Sequence, residues 1–198
     1  MDDNAWDERY REKPLLWGAE PNRLFSEIAT PLKPGRALDL AAGEGRNAVW
    51  LAQRGWDVVA VDFSSVALDR GEALAGRAGV EVSFERADLQ NYEPDSSAFD
   101  LVLILYLHVP AELRRLIYTR ATRSLVPGGT MVVIGHDVRN LEEGVGGPQE
   151  PAILLSPETV VGELDGCDAI RAETVLRSVD GQDREALDTV VVARRADR

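Results

Sequence analysis

The chain has 198 residues, and 22 Lys plus Arg against 34 Asp plus Glu leave a formal net charge of −12. That length suits one domain with its own core, and an apolar share of 44% beside a charged share of 28% excludes the profile of a disordered chain. A pI near 4.6 argues against a surface that neutralises phosphates, so no nucleic-acid partner is expected.

The opening run MDDNAWDERYREK alternates acids and bases where an export signal needs an apolar core. The most apolar stretch, Leu101 to Val109, is about half the ~20 residues of a membrane span and reads as a buried strand. No membrane partner is expected, and the cytoplasm is the expected compartment. One cysteine, Cys167, excludes a disulfide within the chain. No Cys/His spacing suggests a metal site, and none is expected.

Residues 1–34 carry Trp6, Tyr10, Trp17 and Phe25 among charges, spaced as one or two amphipathic helices that form an N-terminal cap. From residue 35 onward, short β-rich runs alternate with helix-length amphipathic stretches, the pattern of an α/β protein with a mostly parallel sheet covered on both faces. The first strand is Arg36 to Ala41, and its helix runs from Gly45 to Arg54 until Gly55 stops it. Asp57 to Asp62 is the second strand, followed by a helix capped by Ser64 or Ser65 that ends around Gly76 and Gly79. Val80 to Asp88 is the third. Phe99 to Leu107 is continuous rather than alternating, as expected of a central strand buried on both faces.

Pro110 opens a helix to Leu125, Pro127 to Gly129 turn the chain, and Thr130 to His136 is the fifth strand. A long glycine-rich loop, Asp137 to Pro151, precedes a short helix from Ser156 or Pro157 to Leu164. Ala169 to Val179 and Glu185 to Arg195 close the fold as a hairpin across the DGQD turn. The expected architecture is a single doubly wound, seven-stranded, mostly parallel sheet with a C-terminal antiparallel strand, without repeats or a second domain.

In open parallel sheets ligands sit beyond the carboxyl ends of the strands, which brings the segments after the first five strands toward one cleft. Gly43-Glu44-Gly45-Arg46-Asn47-Ala48 fits the glycine-rich turn that lets a backbone approach a ligand at a helix N-terminus. Asp62 ends the second strand where a carboxylate can accept two ribose hydroxyls, which suits NAD and S-adenosylmethionine equally. Three features tilt the choice toward the second: Asp39 inside the first strand, Asp88 after the third, and the FDLVL strand. A carboxylate at Asp39 is placed to organise the glycine loop through backbone hydrogen bonds, while Asp88 suits adenine recognition and a surface turn equally well.

With these residues in order, the sequence resembles the class I S-adenosylmethionine-dependent methyltransferases over nearly its whole length. The motifs that carry the resemblance are DLAAGEG (Asp39 to Gly45), VDFS (Val61 to Ser64), ADL (Ala87 to Leu89), FDLVLILYLH (Phe99 to His108) and LVPGGTMVVIGH (Leu125 to His136). Trp6 to Asn22 together with GEGRNAVWLA is similar to the small bacterial branch near tellurite-resistance and thiopurine methyltransferases. The resemblance implies a Rossmann-like fold with S-adenosylmethionine as cofactor and S-adenosylhomocysteine as product. It sets the methionine end against Asp39, Gly43, Gly45 and Arg46, the ribose on Asp62, the adenine beside Phe63, Asp88 and Leu89, and Tyr106 near the methyl group. Ala42 stands where many relatives have Cys, which leaves an approach by backbone unaffected.

His108 and His136, the only histidines, each follow a strand at the expected ligand edge and are candidates for taking a proton from the nucleophile. Their plain alternative is a polar strand end bonded to backbone. Trp6, Tyr10 and Trp17 suit hydrophobic packing or a lid over cofactor and substrate, and the Asn140 to Pro151 loop suits a substrate-side role. The implied reaction is methyl transfer to a small-molecule acceptor, by a monomer or homodimer. A metalloid or thiol methyltransferase of detoxification, a cofactor-binding protein without turnover and a nicotinamide reductase are the alternatives.

Overall fold

The structure, a computed structural model, describes residues 3–12, 15–16 and 18–197. Seven strands hydrogen-bond in the order β3-β2-β1-β4-β5-β7-β6: β1 (Arg36–Leu40), β2 (Asp57–Asp62), β3 (Ser83–Arg86), β4 (Phe99–Leu105), β5 (Leu125–His136), β6 (Cys167–Arg177) and β7 (Ala186–Arg195). β1 runs parallel to β2 and β2 to β3, while β7 is antiparallel to both β5 and β6. The strand order reverses between β1 and β4, the topological switch point of an open α/β sheet. The mostly parallel sheet with its antiparallel C-terminal end is the one the alternation predicts. Two compact units compose the chain: Met1–Glu93 with Phe99–Leu103, and Pro94–Ala98 with Ile104–Arg198.

In the first unit, β1 and β2 are buried along all but their first residue, as near-continuous apolar strands covered on both faces should be. The N-terminal cap is two helices, α1 (Asp3–Glu12) and α2 (Arg23–Ala29). Asn22 caps α2 by accepting the Phe25 amide, and its own amide donates to Asn47 Oδ1 at 2.8 Å on α3 (Arg46–Ala52). Phe25, fully buried, meets the Trp50 ring edge-on. α1 lies against α4 (Ser65–Ala78), which starts on the Ser64 hydroxyl and ends at left-handed Gly79, as the cap residues foretell. Trp17 lies outside the described residues.

β3 is shorter than the Val80 to Asp88 run suggests. Val80 and Val82 pack with Val49, Leu74 and Ala75 instead of joining the ladder, because an edge strand keeps only the pairing that β2 offers it. The Phe84 ring closes the space where α4 approaches the β1–α3 turn: a Cβ on Gly71 would lie 2.5 Å from that ring, and one on Gly45 2.7 Å.

The second unit holds α5 (Ala111–Ser124), β5, α6 (Asn140–Glu143), α7 (Pro157–Glu163) and the β6–β7 hairpin, whose turn carries Gly181 at φ +74°. β5 begins at Leu125, so Pro127 to Gly129 are a bend within the strand at Gly128 (φ +74°), not a separate turn before it. β4 ends at Leu105, where Tyr106 turns left-handed at φ +58°, rather than continuing to Leu107. α7 is tied to α5 by a buried two-pronged ion pair, Arg114 to Glu163 at 2.7 and 2.9 Å. The long loop after β5 is ordered by two buried polar side chains. Asp137 accepts the Thr174 and Thr189 hydroxyls and the Arg139 amide. Asn140 accepts the Leu187 amide and donates to the carbonyls of Val145 and Gly146.

The two helical glycines of α4 make opposite predictions. Nothing lies within 4 Å of a Cβ at Gly76, so Gly76→Ala should stabilise by roughly 0.5–1 kcal/mol through helix propensity. Gly71→Ala drives a methyl into Phe84 and is expected to cost about 1–3 kcal/mol despite the same propensity gain. Urea denaturation of the two variants checks the sign.

Candidate functional site

β1 leaves the sheet when Ala41 turns left-handed (φ +60°), and the following loop returns through Gly43 (φ +56°) and Gly45 (φ +67°) into α3. The backbone takes a path that L side chains resist, which is why glycine stands at both positions. What holds it is Asp62. One carboxylate oxygen accepts the Gly43 amide at 2.8 Å and the other the Ser64 amide at 2.9 Å. The Gly45 amide is spent on the Ala42 carbonyl, so these glycines give the loop its shape, not donors for a ligand.

Asp39 does not organise the loop, although its position suggested that it would. It is 1% exposed, and its Oδ2 has no hydrogen-bond partner. Burial foremost, then the neighbouring Asp62, push its pKa up to about 8, against the pull of Arg46. Glu44 turns away toward α4, where it pairs with Arg70 at 3.0 Å. Phe63 offers its carbonyl to Arg86, and exposed Asp88 accepts the Gln90 amide in a tight turn that buries Leu89.

α1 covers this loop. Tyr10 is 5% exposed, and a Cβ on Gly43 would lie 2.8 Å from its hydroxyl. Asp7 accepts the Ser64 hydroxyl at 2.5 Å, and the Trp6 ring packs on Tyr10 with Arg9 over its face. Asp7 was missed at the sequence level, because nothing local distinguishes this acid from its charged neighbours in α1, and Ser64 was read as a helix cap without its bond to α1.

The second unit gathers the remaining candidates at the carboxyl ends of β4 and β5. The Tyr106 hydroxyl donates to Asp188 Oδ2 at 2.7 Å, and Arg177 Nε donates to the same oxygen at 2.5 Å. The Tyr106 ring meets His136 edge-on at 5.2 Å, and the His136 amide donates to His108 Nε2 at 3.2 Å. Burial lowers the pKa of both histidines; for His108, to about 4, with His136 as the next cause. Arg177 and Asp188 were also missed. Asp188, fully buried and the only charge within ALDTVVVA, carried the signal: a carboxylate in a core strand needs a partner.

Among the described residues no group of three or more His, Cys, Asp or Glu side chains is arranged to hold a metal ion, and no helix is long and apolar enough to cross a membrane. A surface hollow of about 490 Å³ between α4 and β3 includes none of the candidate residues.

A glycine turn between β1 and α3, closed onto the acid that ends β2 in a sheet of this strand order, is the arrangement of class I S-adenosylmethionine-dependent methyltransferases. Residues 37–129 match the family described as "Methyltransferase domain". Two relatives are the 2-heptyl-1-hydroxyquinolin-4(1H)-one methyltransferase of Mycobacteroides abscessus and the demethylmenaquinone methyltransferase of Clavibacter sepedonicus. The first is 28% identical over 117 residues, 58% of this chain and 52% of the relative. The second is 36% identical over 124 residues, 60% and 46%. The chain thus spans about half the length of the curated relatives it matches.

Among solved structures, one described by "Conversion of a Disulfide Bond into a Thioacetal Group during Echinomycin Biosynthesis" superposes with a TM-score of 0.78 at 22% identity, covering 98% of this chain and 93% of that one. TehB from Haemophilus influenzae gives 0.75 at 14%, covering 98% and 66%. These likenesses bear on the fold.

The buried acid makes stability depend on pH. An unfolded Asp39 ionises near 3.8 and the folded one near 8, so between those values the folded state holds the extra proton and rising pH works against folding. Asp39→Asn should flatten this slope and melt higher than wild type at pH 8, with the gap closing toward pH 4. Thermal melts across that range are the check; parallel curves count against a protonated Asp39.

Proposed function

We propose that the protein transfers a methyl group from S-adenosylmethionine to a small-molecule acceptor and releases S-adenosylhomocysteine. The observation that carries this reading is the buried, unpartnered Asp39 oxygen beside the glycine loop of a methyltransferase segment. A fully buried carboxyl without a donor is costly unless a ligand supplies one, and the ammonium of the cofactor's amino-acid end is such a donor. Arg46, at the start of α3, meets the carboxylate of the same end, with Gly43 and Gly45 shaping the turn around it. Asp62, whose oxygens have lone pairs beyond those given to backbone, takes the ribose hydroxyls. Phe63, Asp88 and Leu89 flank and read the adenine, and Trp6 and Tyr10 on α1 close over the cofactor.

Bound, the cofactor supplies a sulfonium methyl group with its own leaving group. What remains for the chain is to bind, align, exclude water and receive a proton. A charge of −12 supports a small molecule over nucleic acid as acceptor. The proposed protein works without nucleic acid or membrane, as monomer or homodimer.

Mass spectrometry for S-adenosylhomocysteine, released over a panel of phenol, thiol, amine and metalloid acceptors, tests the reading. Product from metalloid or thiol acceptors alone moves it to detoxification. Firm cofactor binding with a blank panel replaces it by a binding protein without turnover.

Two binding outcomes follow. Asp62→Ala should weaken S-adenosylhomocysteine by about 1.5–3 kcal/mol in calorimetry with the sheet still folded. Near pH 7, ligand binding should release a proton from Asp39, so that the apparent enthalpy changes with the ionisation enthalpy of the buffer; Asp39→Asn should abolish that dependence.

A further inference from the structure

α1 meets the rest of the first unit at both turns that Asp62 holds. Asp7 and Tyr10 stand three residues apart and so share one face of the helix. Asp7, 9% exposed, accepts the Ser64 hydroxyl at 2.5 Å. The Tyr10 hydroxyl lies against Gly43, 2.8 Å from where a Cβ would stand. Ser64 and Gly43 are the two residues whose amides the oxygens of Asp62 accept. One helix face thus straddles the two turns around a single acid.

The Ser64 hydroxyl has one proton and two lone pairs to place. A lone pair accepts the Ala67 amide and starts α4, and Asp7 takes the proton. The amide of the same serine donates to Asp62 Oδ1 at 2.9 Å, so hydroxyl and acid belong to one turn. Without Asp7 the hydroxyl proton needs another acceptor, and the carboxylate of that turn is the strongest one beside it. A lone pair that a ribose hydroxyl would take is then used up. Asp7 also stands close enough to be felt as a charge: burial foremost raises the pKa of Asp62, and Asp7 adds to it. The second oxygen of Asp7 meets the exposed Arg11 at 3.4 Å.

We infer that Asp7 is a positioning residue of the cofactor site: through the Ser64 hydroxyl it keeps Asp62 free for the two ribose hydroxyls, so that docking of α1 and binding of the ribose support each other. This rests on the S-adenosylmethionine reading above. Linkage makes the support mutual: if a docked α1 raises affinity for the ribose, the bound ribose stabilises the docked α1 by the same factor. A helix that served only as a cover would act on the ligand directly, and its effect would be the same with Asp62 or without it.

Calorimetry with S-adenosylhomocysteine on the full chain tests this path. Asp7→Ala should weaken binding by about tenfold, whereas Asp7→Asn, which keeps an oxygen to accept the Ser64 hydroxyl, should lose less than about threefold. In an Asp62→Ala background Asp7→Ala should cost nothing further, to within about twofold. Unchanged affinity in Asp7→Ala overturns the inference. A loss of the same size with and without Asp62 also overturns it, because α1 then acts as a cover alone.

Hydrogen exchange supplies a second measurement that needs no change in α1. With S-adenosylhomocysteine at saturation, exchange across α1 should slow in wild type and stay as it was in Asp62→Ala. No slowing in wild type, or equal slowing in both proteins, overturns the inference. A wild type that binds no S-adenosylhomocysteine overturns the cofactor reading itself, and this inference with it. Firm binding with losses that simply add overturns the role of Asp7 and leaves the cofactor reading standing.

Discussion

The first unit depends on one carboxylate. Asp62 stands at the last position of β2 and gathers the amides of Gly43 and Ser64, so a single buried carboxylate fixes both the turn leaving β1 and the turn leaving its own strand. Charge-assisted bonds from backbone amides are among the stronger hydrogen bonds available to a fold. They are needed here because the loop passes through three left-handed positions at alternate residues, Ala41, Gly43 and Gly45, with no regular ladder to support it. Ser64, held by the same carboxylate, then caps α4 and receives α1 through Asp7. Loop, helix start and N-terminal cover are in this sense one polar assembly.

The second unit is built on a parallel plan around Asp188. This acid is fully enclosed on β7, and Arg177 and Tyr106 bring it the donors that make a buried charge tolerable. The result is a tyrosine whose hydroxyl is fixed and whose ring presses on His136. Asp137 and Asn140 do the same for the loop after β5, converting a glycine-rich run into an ordered turn that sets Gly147 against the imidazole.

The architecture was legible because it rests on periodicity: β1, β2 and β4 are buried runs of the expected length within a residue or two, and Ser64 and Gly79 end α4 where their chemistry says they should. Failures fell where tertiary packing decides. Nothing in Val80 to Asp88 says that Val80 and Val82 serve a helix instead of a ladder, and no local rule tells a bend at Gly128 from a turn between elements. The glycines and acids of the candidate site were visible as a motif, but which acid organises the loop was not, since Asp39 and Asp62 are equivalent on a strand diagram. Arg177 and Asp188 lie far from Tyr106 in sequence, and only the pairing of β6 with β7 makes them neighbours.

The left-handed backbone of Tyr106 bears on how this chain can change. A bulky residue at positive φ costs about 1–3 kcal/mol, which glycine would largely avoid. A lineage drifting under selection for stability alone would shed the tyrosine early, and with it the ring that meets His136. Tyr106 is therefore a position where thermal robustness and the side-chain cluster compete.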